Sequence, residues 1–378
     1  MLKCLKCGGS YGDYEPIWRC PDCGGHLDHI TEKPLSISPE EIKRGPLSMW
    51  RYGKTIPVRS PEKTVTMGEG LTPLIPVELD GVKPLVKMDF LCPTGSYKDR
   101  GISVLVSRLR ELGITSLIED SSGNAGAAMA AYCTAGGLNC SVYVPDYTSA
   151  GKCVQIEAYG AELIRVPGTR EDTTDAAMAA ARETYYGSHN WSPWFVEGVK
   201  TFAYEIWEQL GWTAPDHLVL PLGQGSLVLG AYRAFSELRE MGLIDHIPKI
   251  HGVQSANCAP LAKAYESGLD MPEAITKAET VAEGISSATP LRGAEVLEAV
   301  KRSRGSIVAV DEKPIVDGIF ALASRGIYVE PTSAVVVPGI SKLMESGAIS
   351  KGETTVVFLS GSGLKATDKI LELRRKIK

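Results

Sequence analysis

The sequence predicts an α/β protein of two three-layer αβα domains with mostly parallel sheets, preceded by a small Cys4 module. Three observations predict it. From about residue 83 onward, short apolar runs alternate with amphipathic stretches of roughly 10–15 residues, which is the rhythm of parallel strands joined through helices. Glycine-rich turns link several runs to the stretches behind them. Four of the nine cysteines fall at Cys4, Cys7, Cys20 and Cys23, while the others are spread singly.

The chain has 378 residues, with 40 Lys+Arg against 45 Asp+Glu, a net charge of −5, and 44% apolar residues. At roughly 100–200 residues per domain this suggests two or three domains, with a core large enough to need no disulfide staples. The mild negative balance gives no basic footprint for a phosphate backbone, so nucleic-acid binding is disfavoured. No run reaches the ~18 apolar residues of a membrane helix, and Met1-Leu2-Lys3-Cys4 opens into a cysteine motif without a signal-peptide core. A soluble cytoplasmic protein is expected.

The first element is the module of residues 1–30. Cys4-Leu5-Lys6-Cys7 and Cys20-Pro21-Asp22-Cys23 are each followed by two glycines, and twelve residues separate them. Two such knuckles place four thiolates around one Zn²⁺. A closed Cys4 shell keeps no open position, so the module is expected to stabilise rather than catalyse. Iron in the same cage, a pair of disulfides and idle thiols are the alternatives, and disulfides fit poorly with a chain lacking export signals.

Residues 26–65 are rich in proline, serine and charge, with little periodicity, and read as a connecting arm. Strands follow at 84–88, 116–118, 141–144 and 162–166, with helices at 101–112, 124–136, 151–160 and around 171–185. A second series of strands runs through 217–221, 249–253, 306–310 and 354–359. There is no fixed-period repeat and no low-complexity tract.

Ligands of open parallel sheets bind beyond the carboxyl ends of strands, where a small-residue turn enters a helix. Ser121-Ser122-Gly123-Asn124-Ala125-Gly126 is one such turn, suited to an anion, and Gly223-Gln224-Gly225-Ser226 is another, suited to a phosphate. Either also reads as a plain helix entry. Lys98, in Pro93-Thr94-Gly95-Ser96-Tyr97-Lys98-Asp99-Arg100-Gly101, is a candidate Schiff-base amine or proton shuttle, against the alternative of a solvated surface lysine. Leu359-Ser360-Gly361-Ser362-Gly363 ends the last strand in hydroxyls that serve a ligand heteroatom or cap the next helix.

Together these turns resemble the pyridoxal-phosphate enzymes of the tryptophan-synthase-β type, and among them the threonine synthases. Gly68-Glu69-Gly70-Leu71-Thr72-Pro73-Leu74 resembles the entry segment G-E-G-N-T-P-L, and Gly95-Ser96-Tyr97-Lys98-Asp99-Arg100-Gly101 resembles the lysine motif G-S-F-K-D-R-G. Gly151-Lys152, Gln155 and Tyr159-Gly160-Ala161 match G-K-x-x-Q-x-x-x-Y-G-A. Glu197-Gly198 with Lys200-Thr201 matches E-G-Q-K-T, and Glu330-Pro331-Thr332-Ser333-Ala334 matches E-P-x-S-A. Leu359 to Lys365 resembles L-T-G-H-G-L-K, and the cysteine pairs resemble the zinc-ribbon-like extension of some threonine synthases.

The resemblance implies a fold-type-II lyase with pyridoxal 5'-phosphate on Lys98, which then moves protons. It implies that Asn124 bonds the ring's phenolic oxygen, that Gly223, Gln224, Gly225 and Ser226 bind the cofactor phosphate through their amides, and that Ser360 meets the pyridine nitrogen. Ser121, Ser122 and Ala125 would hold the substrate carboxylate, and Lys152 a substrate phosphate. Residues 31–102 and 217–378 would form a large cofactor domain, and 103–216 a small substrate domain that moves on binding, with the active site in the cleft between them. A homodimer is implied as well. The implied partner is a small-molecule amino-acid substrate, and the implied reaction is O-phosphohomoserine and water to L-threonine and phosphate.

Departures gather near the substrate end. Where the motif reads N-P-[YF]-R-x-E-G-Q-K-T, Phe195 replaces an arginine, Ser192 an asparagine and Val199 a glutamine, which suggests a less anionic pocket. Ser362 stands for a histidine and Ala366 for an aspartate. Thr280 to Ile285 is closer to the T-I-A-[DE]-G-I of serine/threonine dehydratases. Dehydratase-type β-elimination and a cysteate- or cysteine-synthase-like β-replacement therefore remain open.

Overall fold

The computed structural model describes residues 1–32, 34–79 and 81–377, with the backbone alone for Lys152 and Ile377. In chain order its strands are β1 (Leu2–Cys4), β2 (Ser10–Tyr11), β3 (Leu27–His29), β4 (Leu74–Pro76), β5 (Leu85–Lys87), β6 (Ser116–Glu119), β7 (Asn139–Pro145), β8 (Glu162–Val166), β9 (Tyr185–Tyr186), β10 (His217–Pro221), β11 (Lys249–Ser255), β12 (Ile307–Val310) and β13 (Thr355–Phe358). They belong to two compact units, Met1–Gly70 with Lys98–Thr201, and Leu71–Tyr97 with Phe202–Lys378.

The first unit holds two sheets. One is an antiparallel ribbon in the order β2-β1-β3 that forms the cysteine module. The other is parallel throughout, in the order β8-β7-β6-β9. Parallel neighbours need crossover connections, and the helices Asn124–Gly136 and Ala150–Ala158 supply those from β6 to β7 and β7 to β8. The helix expected around 171–185 stops at Ala180, and Tyr185-Tyr186 instead pairs beside β6. Two buried tyrosines suit a pleated surface better than the end of an alanine-rich helix. The expected arm is also structured in part. Ser38 and Glu41 form a reciprocal capping box around Pro39, which starts the helix Pro39–Arg44.

The second unit carries a six-stranded sheet in the order β12-β11-β10-β13-β5-β4, parallel except for β4 at one edge. The strands β10 and β13 read as near-continuous apolar runs because they are buried throughout, whereas β11 is buried almost throughout although it carries Lys249, His251 and Gln254. Val219, Val253, Val310 and Val357 of the sheet share one core with Ile315, Ile319, Leu322, Val336 and Ile340 of neighbouring helices. Among the described residues no helix is long and apolar enough to cross a membrane.

Candidate active site

In the first unit Lys98 opens the helix Lys98–Glu111, half-buried, with its Nζ 5.2 Å from the ring centroid of Phe195. Two glycines bring this helix against the helix Phe195–Val199. A Cβ on Gly198 would lie 2.1 Å from the Arg100 carbonyl oxygen, and one on Gly101 would lie 2.3 Å from the Phe195 ring. Bare backbone is the only fit at either position. Phe195 itself is fully buried, so the position where the resembled motif has arginine carries a ring packed under the lysine.

Ser121, Ser122, Asn124 and Ala125 share one turn between β6 and the helix Asn124–Gly136. Ser121 Oγ accepts from the Gly123 amide at 3.3 Å, and a Cβ on Gly126 would sit 1.8 Å from the Ser121 carbonyl oxygen. The turn therefore closes only over glycine. Gly123 at the cap of this helix offers no side chain of its own, and a helix start of this kind favours a ligand carboxylate. The side chain of Lys152 lies outside the described residues.

Two carboxylates at the end of β6 escaped the sequence reading. Asp120 is buried against Arg170, 2.8 Å away, and accepts from Thr174 Oγ1 at 2.9 Å. Burial works against its charge, but Arg170 and Thr174 hold its pKa below the ordinary value. Glu119 is fully buried, with Oε1 3.1 Å from His189 Nδ1 and Oε2 accepting the His189 amide at 3.2 Å. Their adjacency at a strand end, directly before the Ser-Ser-Gly-Asn turn, was the available signal.

The cysteine module also lies in this unit. The four Sγ atoms lie within 4.8 Å of one another, with Cys4 to Cys23 at 3.5 Å and Cys7 to Cys20 at 3.6 Å. These thiols are free, and such spacings are close to the ~3.8 Å edge of a tetrahedron with Zn–S of about 2.3 Å. Gly8 and Gly24, at φ +76° and +67°, turn each knuckle through the left-handed region. Burial raises the Cys20 thiol, but the Tyr11 hydroxyl at 2.9 Å and neighbouring amides outweigh it and hold Cys20 at about 6. The residues fit a divalent metal that prefers thiolates.

In the second unit β10 runs through Leu222 into Gly223-Gln224-Gly225, and Ser226 begins a 15-residue helix. Gly225 has φ +92°, and a Cβ there would lie 2.2 Å from Val296. A Cβ on Gly223 would come within 3.0 Å of Ile285 Cα. Such a turn at a helix start fits a phosphate held by backbone amides. Gln224 turns its side chain to the 285–291 loop, donating to Ser287 Oγ and accepting from the Leu291 amide, both at 2.9 Å. Ser226 Oγ is 3.0 Å from the Tyr97 hydroxyl.

Ser360 lies buried at the end of β13, its Oγ 3.0 Å from Ser333 Oγ and 3.5 Å from Glu330 Oε1. Ser333 also accepts the amides of Ser360 and Gly361. The E-P-x-S-A segment thus orients Ser360, a role the sequence reading had not assigned. Ser362 accepts the Leu364 amide at 3.3 Å and so serves as a cap.

Parallel sheets with glycine turns at their helix entries and a lysine opening a helix define the class, and comparison with known proteins agrees. The family model described as "Pyridoxal-phosphate dependent enzyme" matches residues 65–361. The chain belongs to this family, as a fold-type-II lyase of the tryptophan-synthase-β type. More particularly, it is 36% identical to the threonine synthase of Methanocaldococcus jannaschii, over 97% of this chain and 93% of that one. It is 34% identical to the threonine synthase of Methanosarcina acetivorans, over 98% and 94%. Among solved structures, a threonine deaminase isoform of Solanum lycopersicum superposes with a TM-score of 0.69 at 21% identity, covering 91% of each chain. O-ureido-L-serine synthase superposes with a TM-score of 0.68 at 20% identity, covering 83% of this chain and 94% of that one.

Proposed function

We propose that the protein is a threonine synthase, converting O-phosphohomoserine and water to L-threonine and phosphate. The observation that carries this reading is the 34–36% identity to two threonine synthases along nearly the whole chain. When bound, the cofactor supplies an electron sink that acidifies the substrate carbons. Lys98 Nζ would hold the cofactor and, once the substrate's amine has displaced it, would accept and return protons at Cα, Cβ and Cγ, one base serving alternately as acceptor and donor. Amides of the 121–125 turn, with the hydroxyls of Ser121 and Ser122, orient the substrate carboxylate, and Asn124 bonds the ring oxygen. The amides of 223–226 would hold the cofactor phosphate, and the Ser360 hydroxyl would meet the pyridine nitrogen without protonating it. That restrains charge withdrawal and favours elimination and replacement. Lys152 is the candidate ligand of the substrate phosphate, and Cys4, Cys7, Cys20 and Cys23 hold a structural Zn²⁺. The reading includes a homodimer in the cytoplasm, on resemblance alone.

A second reading, β-elimination or β-replacement on a less anionic amino acid, is favoured by Phe195 packed beneath Lys98. The test is to incubate cofactor-loaded protein separately with O-phosphohomoserine, O-phosphoserine, serine and threonine, following phosphate and identifying products by mass. Phosphate and threonine from O-phosphohomoserine are expected. Inertness there, with 2-oxobutyrate from threonine or pyruvate from serine, would overturn the synthase reading in favour of elimination.

A further inference from the structure

Beside Lys98 the first unit contains a buried acid–imidazole pair to which the reaction above assigns nothing. Glu119 and His189 meet at 3.1 Å, and the backbone amide of His189 closes a second contact to the same carboxyl. The His189 ring meets Phe195 edge to face, with centroids 5.4 Å apart, and the same Phe195 ring lies 5.2 Å from Lys98 Nζ. Lys98 and His189 thus share one aromatic neighbour, at the position where the resembled motif carries an arginine.

The charges acting on the pair are Asp120, Arg170 and Lys98, and the ionisable Tyr186 and Cys133 also face Glu119, both raised chiefly by burial. Burial, with the negative charge of Asp120, pushes Glu119 up to about 8. Burial, with the positive charge of Lys98, holds His189 well below its ordinary value. Both directions leave the pair uncharged at neutral pH, with one proton on the carboxyl. The carboxyl O–H then donates to Nδ1, and the imidazole keeps its own proton on Nε2.

We propose that Glu119 and His189 are positioning residues for Lys98, a neutral proton-holding wall that takes the place of a fixed cation and sets the charge against which the lysine works. Ionising Glu119 creates a buried negative charge near Lys98, which favours a positive charge beside it. The inference rests on Lys98 as the cofactor-bearing lysine, but not on which amino acid the enzyme consumes.

The test is a pH titration, between about 6 and 10, of the visible absorbance of the cofactor-loaded protein without substrate. Wild type, E119Q, H189Q and K98A are compared, with far-UV circular dichroism as the check on folding. Glutamine at 119 keeps a donor to Nδ1 but cannot ionise, so the titration should simplify to one step, with its midpoint lowered by about one pH unit. Glutamine at 189 donates to the carboxylate, keeps it ionised and should raise the midpoint. A Lys98-dependent band that titrates alike in wild type, E119Q and H189Q overturns the inference alone. A band absent from wild type, or surviving in K98A, overturns the assignment of the lysine and the inference with it. If E119Q does not fold, the rise or constancy of the midpoint in H189Q decides.

Discussion

His29 Nδ1 of the cysteine module lies 3.3 Å from Glu197 Oε1, and the other oxygen of Glu197 holds Lys200 Nζ at 2.6 Å. The three side chains are almost fully buried. His29 also packs on Trp194 at 5.3 Å, His26 stacks on Trp191 at 4.9 Å, and Trp18 meets Trp191 and Tyr186 edge to face. The module therefore braces the segment that carries His189 and Phe195, and through them the surroundings of Lys98.

Loss of that brace should be felt at the chemistry although no cysteine touches a reactant. Stripping metal with a chelator, or the C20S substitution, is expected to shift tryptophan emission, because Trp18, Trp191 and Trp194 all sit in this contact. Turnover should fall at least about tenfold and the thermal midpoint by several degrees. Added Zn²⁺ should restore the stripped protein and leave C20S impaired. Unchanged emission and turnover after metal removal would separate the module from the site.

Gly198 predicts a second failure. Its missing Cβ lets the helix Phe195–Val199 approach the Arg100 carbonyl, where a methyl group would sit at 2.1 Å. The G198A substitution should cost about 2–4 kcal/mol and displace Phe195 from Lys98. Denaturant unfolding of the apoprotein reads the first effect and cofactor titration the second. An undisturbed stability would mean that the two helices part without cost.

Gly225 separates cofactor binding from folding. A side chain there meets both the left-handed φ of +92° and Val296 at 2.2 Å. G225A should therefore tilt the amides of 223–226 and weaken pyridoxal 5'-phosphate binding at least about tenfold. Circular dichroism should stay near wild type. Equilibrium dialysis against the cofactor measures the loss, and full affinity in a folded G225A protein would argue that this turn holds no phosphate.

The strands legible in the sequence were those buried on both faces, such as β10 and β13, since continuous apolar runs need no partner to be recognised. Tyr185-Tyr186 was not legible, because a two-residue edge strand exists only through its pairing with β6. The helix at Pro39 carried its signal in Ser38 and Glu41, but proline and charge around it masked the box. At the site, glycine turns announce themselves locally. The Glu119–His189 pair does not, because 70 positions separate its members and only the fold of β6 beside β9 brings them together. The link from His29 to Glu197 is longer still and has no local signature.

A pair of histidines in the second unit makes stability depend on pH. His251 Nδ1 accepts the Ser306 amide at 3.1 Å, so its neutral ring carries the proton on Nε2 and donates it to His217 Nδ1 at 3.0 Å. His217 then keeps its proton on Nε2, which faces Glu353 Oε2 at 3.0 Å. Protonating His251 would require a hydrogen on the atom that already accepts from Ser306. Burial, with the neighbouring His217 imidazole and the charge of Lys249, lowers its pKa to about 3, and burial also lowers that of His217. The unfolded chain binds these protons near 6.5. A folded pKa below the unfolded one leaves stability intact above about 6.5 and removes it progressively as pH falls toward the folded value. Between pH 7 and 5 His251 should account for a loss of about 2 kcal/mol, measurable as a falling denaturant midpoint. In H251Q, with no imidazole to titrate there, that fall should be smaller over the same interval. An equal fall in both proteins would place the acid sensitivity elsewhere.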